Sequence, residues 1–199
     1  MKTKIPELTE EQLLFAKELF GEKNRIKTRK QLIRRICAQN DELWSYIVKI
    51  RDNYVCQACV FEHKIIRKEE NVQILPHKSN QAMHFQSRGN WYTRHDTRNG
   101  ACGCYHHHQN CVDGGQWDPD KTKEFWIWAL GSEELYDELK RDAKKPFKKN
   151  FENVKCVNDG LKAELWEMTN MTFKEIEGGK YKEGMIRLSN EILEHSEKK

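Results

Sequence analysis

A chain of 199 residues can bury a real core and has room for one compact domain with helical extensions, not for two large domains. A third of its residues are charged and the formal net charge is +4, a balance that permits nucleic-acid binding without requiring it. No run is apolar enough for a bilayer span or an export signal, so the odd count of seven cysteines favours thiols kept reduced or metal-bound in a reducing cytosol over a disulfide framework.

In chain order, Thr9-Glu10-Glu11-Gln12 has the form of a capping box and predicts a helix. Leu13, Leu14, Ala16, Lys17, Leu19 and Phe20 make its stripe, and Gly21 stops it. From Asn24 to Arg35 a basic run carries apolar residues at helical intervals, suited either to a phosphate backbone or to a solvated helix face. Residues 1–40 thus read as an N-terminal helical extension. Asp41 to Asp52 predicts a second helix with Leu43, Trp44, Ile47 and Ile50 on its apolar face, delivering the chain into Cys56-Gln57-Ala58-Cys59. Val72 to Leu75, before Pro76, predicts a short strand. The stretch from Gln86 to Arg98 has turn chemistry at Arg88-Gly89-Asn90 and interleaves Trp91 and Tyr92 with Arg88, Arg94 and Arg98. That suits either a surface meeting a nucleic-acid backbone or aromatics that are simply core.

Beyond Gly114-Gly115 the composition shifts to helix formers. One helix is predicted over 121–129 with Phe125, Trp126 and Trp128, and a second follows a cap at Ser132 and ends before Pro146. Two more are predicted between Leu161 and His195, interrupted at Gly178-Gly179, the last with Met185, Leu188, Ile192 and Leu193 on one face. Cys37 and Cys156 read as small buried hydrophobes. The expected fold class is α+β: a small metal-bound core over 41–118 with flanking helices, the C-terminal ones over 119–199.

The chemistry concentrates between Cys56 and Gly115. Two residues between ligands let a tight turn aim both side chains at one point, so Cys56, Cys59, Cys104 and His107 are the candidate set for one structural Zn²⁺. Cys102 and Cys111 lie near enough in sequence to replace Cys104 or His107. His84, Asn99 and His108 remain, in the order that a one-metal ββα nuclease core requires. Phosphodiester hydrolysis needs an activated water and a neutralised leaving oxygen; a neutral histidine can do the first and a divalent metal the second. His84 is then the base on a hairpin strand, Asn99 the clamp on the connecting loop, and His108 a ligand of the catalytic metal, Mg²⁺ or Mn²⁺, on the following helix.

Three stretches carry a resemblance to a known family. They are Leu43 to Asp52, then His84-Phe85-x-Ser87-Arg88-Gly89-Asn90 running to Arg94-His95-Asp96-x-x-Asn99, and then Cys104-Tyr105-His106-His107-His108 with Asp113-Gly114. Together with Phe125 to Gly131 and Leu135 to Leu139 they resemble the NinG/Rap recombination endonucleases of lambdoid phages, over residues 41–147. The resemblance implies a DNA endonuclease of the HNH superfamily acting on branched or single-stranded recombination intermediates in the cytoplasm of a bacterial host, as one chain or as a homodimer. His107 stands where the family usually has cysteine, Gln81 where it has aspartate and Met83 where it has glycine. The catalytic metal is therefore expected to rest on His108 with water, phosphate, Asp96, His77 or His106.

Overall fold

The computed structural model of the chain describes residues 8–21, 26–169, 171, 176 and 181–197. Asn24 and Arg25 of the basic run and the Gly178-Gly179 break lie outside them. The fold is α+β, with a two-stranded antiparallel sheet among helices. In order come α1 (Glu10–Phe20), α2 (Arg29–Arg51), α3 (Gln57–Val60) running on into wider π-helical turns (Phe61–Ile66), β1 (Gln81–His84), a 3-10 turn (Thr97–Asn99) and β2 (Gly100–Gly103). A π-helical segment (His106–Val112), α4 (Pro119–Leu130), α5 (Glu133–Asp142), α6 (Phe151–Met168) and α7 (Tyr181–Glu197) follow. None of the helices among the described residues is long and apolar enough to cross a membrane.

The chain divides into two compact units, residues 1–43 with 148–186, and residues 44–147 with 187–199. In the first, the capping box at Thr9 forms as predicted, each partner's side chain accepting from the other's backbone N–H at 3.3 Å. The buried stripe of α1 is not the predicted one. Gln12, Ala16 and Leu19 face inward, while Leu13 and Leu14 are exposed because they lie off that i, i+4, i+7 row. Phe15 meets Phe151 edge to face, and Leu32, Ile36, Val154, Leu161 and Leu165 are buried. Asn40 donates to the Val154 carbonyl at 3.0 Å and receives the Asn158 amide at 2.7 Å within this core, while Asn158 Oδ1 is buried without a partner among the described residues. Cys156, read as buried, is exposed, since the inward row of α6 is Phe151, Val154, Asn158, Leu161, Lys162 and Leu165. Cys37 is buried as expected.

The basic run from Arg29 to Arg35 and the helix predicted over 41–52 form one helix, because no Gly or Pro interrupts Arg29–Arg51. Its C-terminal part belongs to the second unit, where Trp44, Ile47 and Val48 are buried. Asn53 and Tyr54, both at positive φ, reverse the chain towards the first cysteine pair. Asn80, wholly inside, donates to the Tyr54 carbonyl at 2.7 Å and ties this reversal to the start of β1.

The predicted strand at Val72 to Leu75 does not form; it finds no neighbouring strand, and Leu75 is exposed. Instead Gln81 pairs with Gly103 and His84 with Gly100. Arg51 and Asp52 fasten this sheet to the end of α2: the guanidinium donates to the Gly100 carbonyl at 2.6 Å, and Asp52 accepts from Cys102 N–H at 2.6 Å. Met83 is fully buried against Gly103, whose missing side chain is the space it occupies. Phe61, Trp117, Phe125 and Trp126 form an aromatic core beneath. Ser132 caps α5 through the N–H of Leu135 at 3.2 Å, after Gly131 closes α4 in the left-handed region.

Candidate metal centre and adjoining pocket

Cys56 caps the first turn of α3, its sulfur accepting from Cys59 N–H at 3.4 Å, so both thiols point to one side of a short helix. Cys104 ends β2's exit and His107 lies in the following π-helical segment. The ligand atoms of Cys56, Cys59, Cys104 and His107 all lie within 4.8 Å of one another. His107 Nδ1 stands 3.6, 3.4 and 3.2 Å from the three sulfurs. A tetrahedral ion with ordinary Zn–S and Zn–N bonds separates S from N by about 3.5 Å. The four residues can therefore hold a metal ion such as zinc. Cys102, buried in β2, and Cys111 lie outside this set; Cys111 instead joins His106 and His107 in a second, three-residue group.

Glu62, which the sequence reading passed over, completes the centre from behind. Its carboxylate takes His107 Nε2 at 3.1 Å, Trp117 Nε1 at 3.1 Å and Lys121 Nζ at 2.6 Å. This fixes the His107 tautomer with Nδ1 towards the thiols. Burial opposes ionisation of Glu62, but Lys121 and His107 outweigh it and hold the carboxyl down at about 2. Burial likewise opposes charge on His107, yet Cys56 and Glu62 keep its imidazolium up to about 9. The Cys59 thiol, hydrogen-bonded to the Cys56 sulfur, pulls Cys56 well below the thiol range and is itself pushed up. A cluster that stores a thiolate and protons in this way would lose those protons to solvent as a cation takes their place.

A cavity of about 580 Å³ is lined by His84, Phe85, Ser87, Arg88, His108, Gln109 and Asp113. His84 ends β1 and stacks on Trp44, ring centroids 3.7 Å apart. Its Nε2 is 3.1 Å from the Arg94 carbonyl; a carbonyl only accepts, so Nε2 carries the proton and the lone pair lies on Nδ1. Asn99, fully buried, accepts from Gln86 N–H at 2.6 Å and donates to the Gln86 and Thr93 carbonyls at 3.1 and 3.0 Å. It thus closes the loop between the two strands on itself, next to the base of β1.

His108 is nearly buried and enters the cavity from the π-helical segment. Its Nδ1 meets Gln81 Oε1 at 2.7 Å and its Nε2 meets Asp113 Oδ2 at 3.1 Å. Burial holds its pKa below the ordinary imidazole value, with Arg88 adding to the effect against the pull of Asp113. The wide helical turn brings Asp113 there: its N–H donates to the His108 carbonyl, five residues back, at 3.1 Å. An α-helical reading of the sequence puts positions five apart on different faces, so the juxtaposition was missed. The three helpers expected for a catalytic metal lie elsewhere. Asp96 caps the 3-10 turn and pairs with Arg98, His77 faces Ser79, and His106 faces Cys111. None of them lines the cavity.

The three arginines differ in placement. Arg88 lines the cavity, Arg94 lies over the Trp91 ring at 4.5 Å, and Arg98 is ion-paired to Asp96 at 2.7 Å and Glu138 at 3.1 Å. Trp91 is half-buried and Tyr92 is exposed. Comparisons of this chain with protein-family models, with curated proteins and with solved structures find no match.

Proposed function

We propose that this protein is a metal-dependent DNA endonuclease of the ββα-metal kind, in which β1, β2 and the following helical segment form the catalytic frame. Cys56, Cys59, Cys104 and His107 hold a structural zinc that pins that frame to the cysteine knuckle. The observation that carries the reading is the meeting of His84, His108 and Asp113 in one cavity, with the Arg88 guanidinium beside them. His84 takes a proton from water at Nδ1, while its Nε2–H holds to the Arg94 carbonyl and Trp44 fixes the ring plane. Asn99 keeps the loop that supplies that carbonyl in place.

His108 Nε2 and the Asp113 carboxylate, already 3.1 Å apart, form a nitrogen–oxygen donor pair that suits Mg²⁺ or Mn²⁺. Gln81, accepting from His108 Nδ1–H, orients the ring with its lone pair towards that ion. A divalent ion bound there supplies positive charge to the leaving 3′ oxygen. Arg88 meets the phosphate. Breaking the P–O3′ bond leaves a 5′-phosphate and a 3′-hydroxyl. The substrate class, branched or single-stranded DNA in a bacterial cytoplasm, rests on the resemblance to the NinG/Rap nucleases.

The test is cleavage of plasmid and of branched DNA with added magnesium or manganese. His84→Ala should lower cutting about a hundredfold or more, the usual contribution of a positioned general base, while zinc content and DNA affinity hold. Equal cutting by that variant removes the assignment. Salt-sensitive DNA binding by the wild type with no cutting under any divalent ion makes the protein a zinc-stabilised DNA-binding module instead.

A further inference from the structure

The region just after α5 has an unusual charge density. Lys140, Arg141, Lys144 and Lys145 are all exposed, and the single acid among them, Asp142, is paired with Lys145 at 2.5 Å. The helical turn continues past Asp142, with Lys144 N–H donating to the Arg141 carbonyl at 3.1 Å and Lys145 N–H to the Asp142 carbonyl at 2.9 Å. Four exposed cations thus fall within six residues. Lys140 and Arg141 suit the negative C-terminal end of α5 and Asp142 offsets Lys145, and Lys144 adds a further exposed positive charge beside them.

The cluster is joined to the loop that borders the cavity. Lys145 Nζ lies 5.0 Å from the centre of the exposed Tyr92 ring. From Tyr92 the loop leads to Trp91, covered by the Arg94 guanidinium, and Arg94 in turn donates to the Arg88 carbonyl at 2.9 Å. Arg88 lines the cavity. The α5 side is fastened to the same loop by the Arg98–Glu138 ion pair and by Phe85 against Tyr136, ring centroids 4.7 Å apart. A strip of cations with two aromatic faces thus runs from the His84 pocket to the end of α5.

We infer that this strip, from Arg88 through Arg94, Tyr92 and Lys145 to Lys140, Arg141 and Lys144, is a second nucleic-acid contact that holds the DNA backbone flanking the scissile phosphate. The inference rests on the endonuclease reading for the position of that phosphate, but the contact itself binds without catalysis. Sequence-independent cations along a backbone set affinity and its salt dependence, and Tyr92, the exposed ring of the two, can stack on an unpaired base. The strip accordingly favours DNA with a single-stranded arm.

The experiment compares Lys140→Gln/Arg141→Gln/Lys144→Gln with the unaltered chain, both carrying His84→Ala so that nothing is cut. Fluorescence anisotropy with a labelled duplex bearing a single-stranded arm is read over a salt series. The triple variant should bind at least tenfold more weakly near 0.1 M salt. Its slope of log affinity against log salt should also be shallower by about two to three, since each lost phosphate contact removes about 0.7 to 0.9. Unchanged zinc content and melting temperature keep the comparison one of surface. Equal affinity and slope overturn the inference even if the wild type cuts DNA. Loss of affinity in the variant sustains it even if the wild type cuts nothing, in which case only the catalytic reading falls. Binding of the unaltered chain to phosphatidylserine vesicles but not to DNA, with that binding lost in the variant, also overturns it by assigning the strip to a membrane surface.

Discussion

Glu62 decides how firmly the metal centre is built. It joins His107, Trp117 and Lys121, so one carboxylate orients a ligand, satisfies the Trp117 indole of the aromatic core and pairs with the Lys121 ammonium. Its pKa is depressed from 4.5 to about 2. The stabilisation is therefore complete above the ordinary carboxylate value and is lost as pH falls towards about 2. Glu62→Gln should lower the unfolding free energy at pH 7 by about 1 to 3 kcal/mol, with the gap to wild type closing as urea unfolding is repeated below about pH 4. A gap that is absent at pH 7, or unchanged in acid, removes Glu62 from this role. The same residue shows the limit of motif reading. C-x-x-C and C-x-x-H spacing marks four ligands because turn geometry is local, and all four come together. Glu62 carries a local signal too, one turn after Cys59. Its partners Trp117 and Lys121 lie more than fifty residues away, and no spacing rule reaches them.

At the scale of elements, the meeting of α2 with β2 sets the pose of His84. Gly100 lies under Trp44: a Cβ there falls 2.5 Å from Trp44 Cζ2 and 2.9 Å from Val48 Cγ2. Trp44 in turn stacks on His84 and donates to the Asp96 carbonyl at 2.9 Å. Gly100→Ala must displace that indole. It should cost about 1 to 3 kcal/mol, seen as a lower melting temperature, and should reduce cutting while zinc stays bound. A variant with full activity would show that the stack does not position the base. Helix caps at Thr9 and Ser132 were legible in sequence because capping is a contact over three residues. Val72 to Leu75 shows the reverse case. Its β-forming residues lack a strand partner, and pairing, which is non-local, decides the element. The continuity of α2 also escaped a reading by segments, since Asn40 and Asp41 look like a boundary. Asn40 is instead turned inward, bonded to Val154 and Asn158.

For the whole molecule, the proposed endonuclease rests on a division of labour between the metal centre and the cavity lined by His84 and His108. Two four-residue strands make little core of their own, and a lone two-stranded hairpin is marginal in water. A closed metal centre joining the cysteine knuckle to the segment after β2 supplies the missing rigidity, so that His84 and His108 converge without being metal-bound to it. The most direct test of this claim is zinc K-edge X-ray absorption on the purified chain. The account predicts one zinc per chain with three sulfur neighbours at about 2.3 Å and one nitrogen at about 2.0 Å, and the same shell in His108→Ala. A shell of nitrogen and oxygen alone, or a shell that changes when His108 is removed, would contradict it.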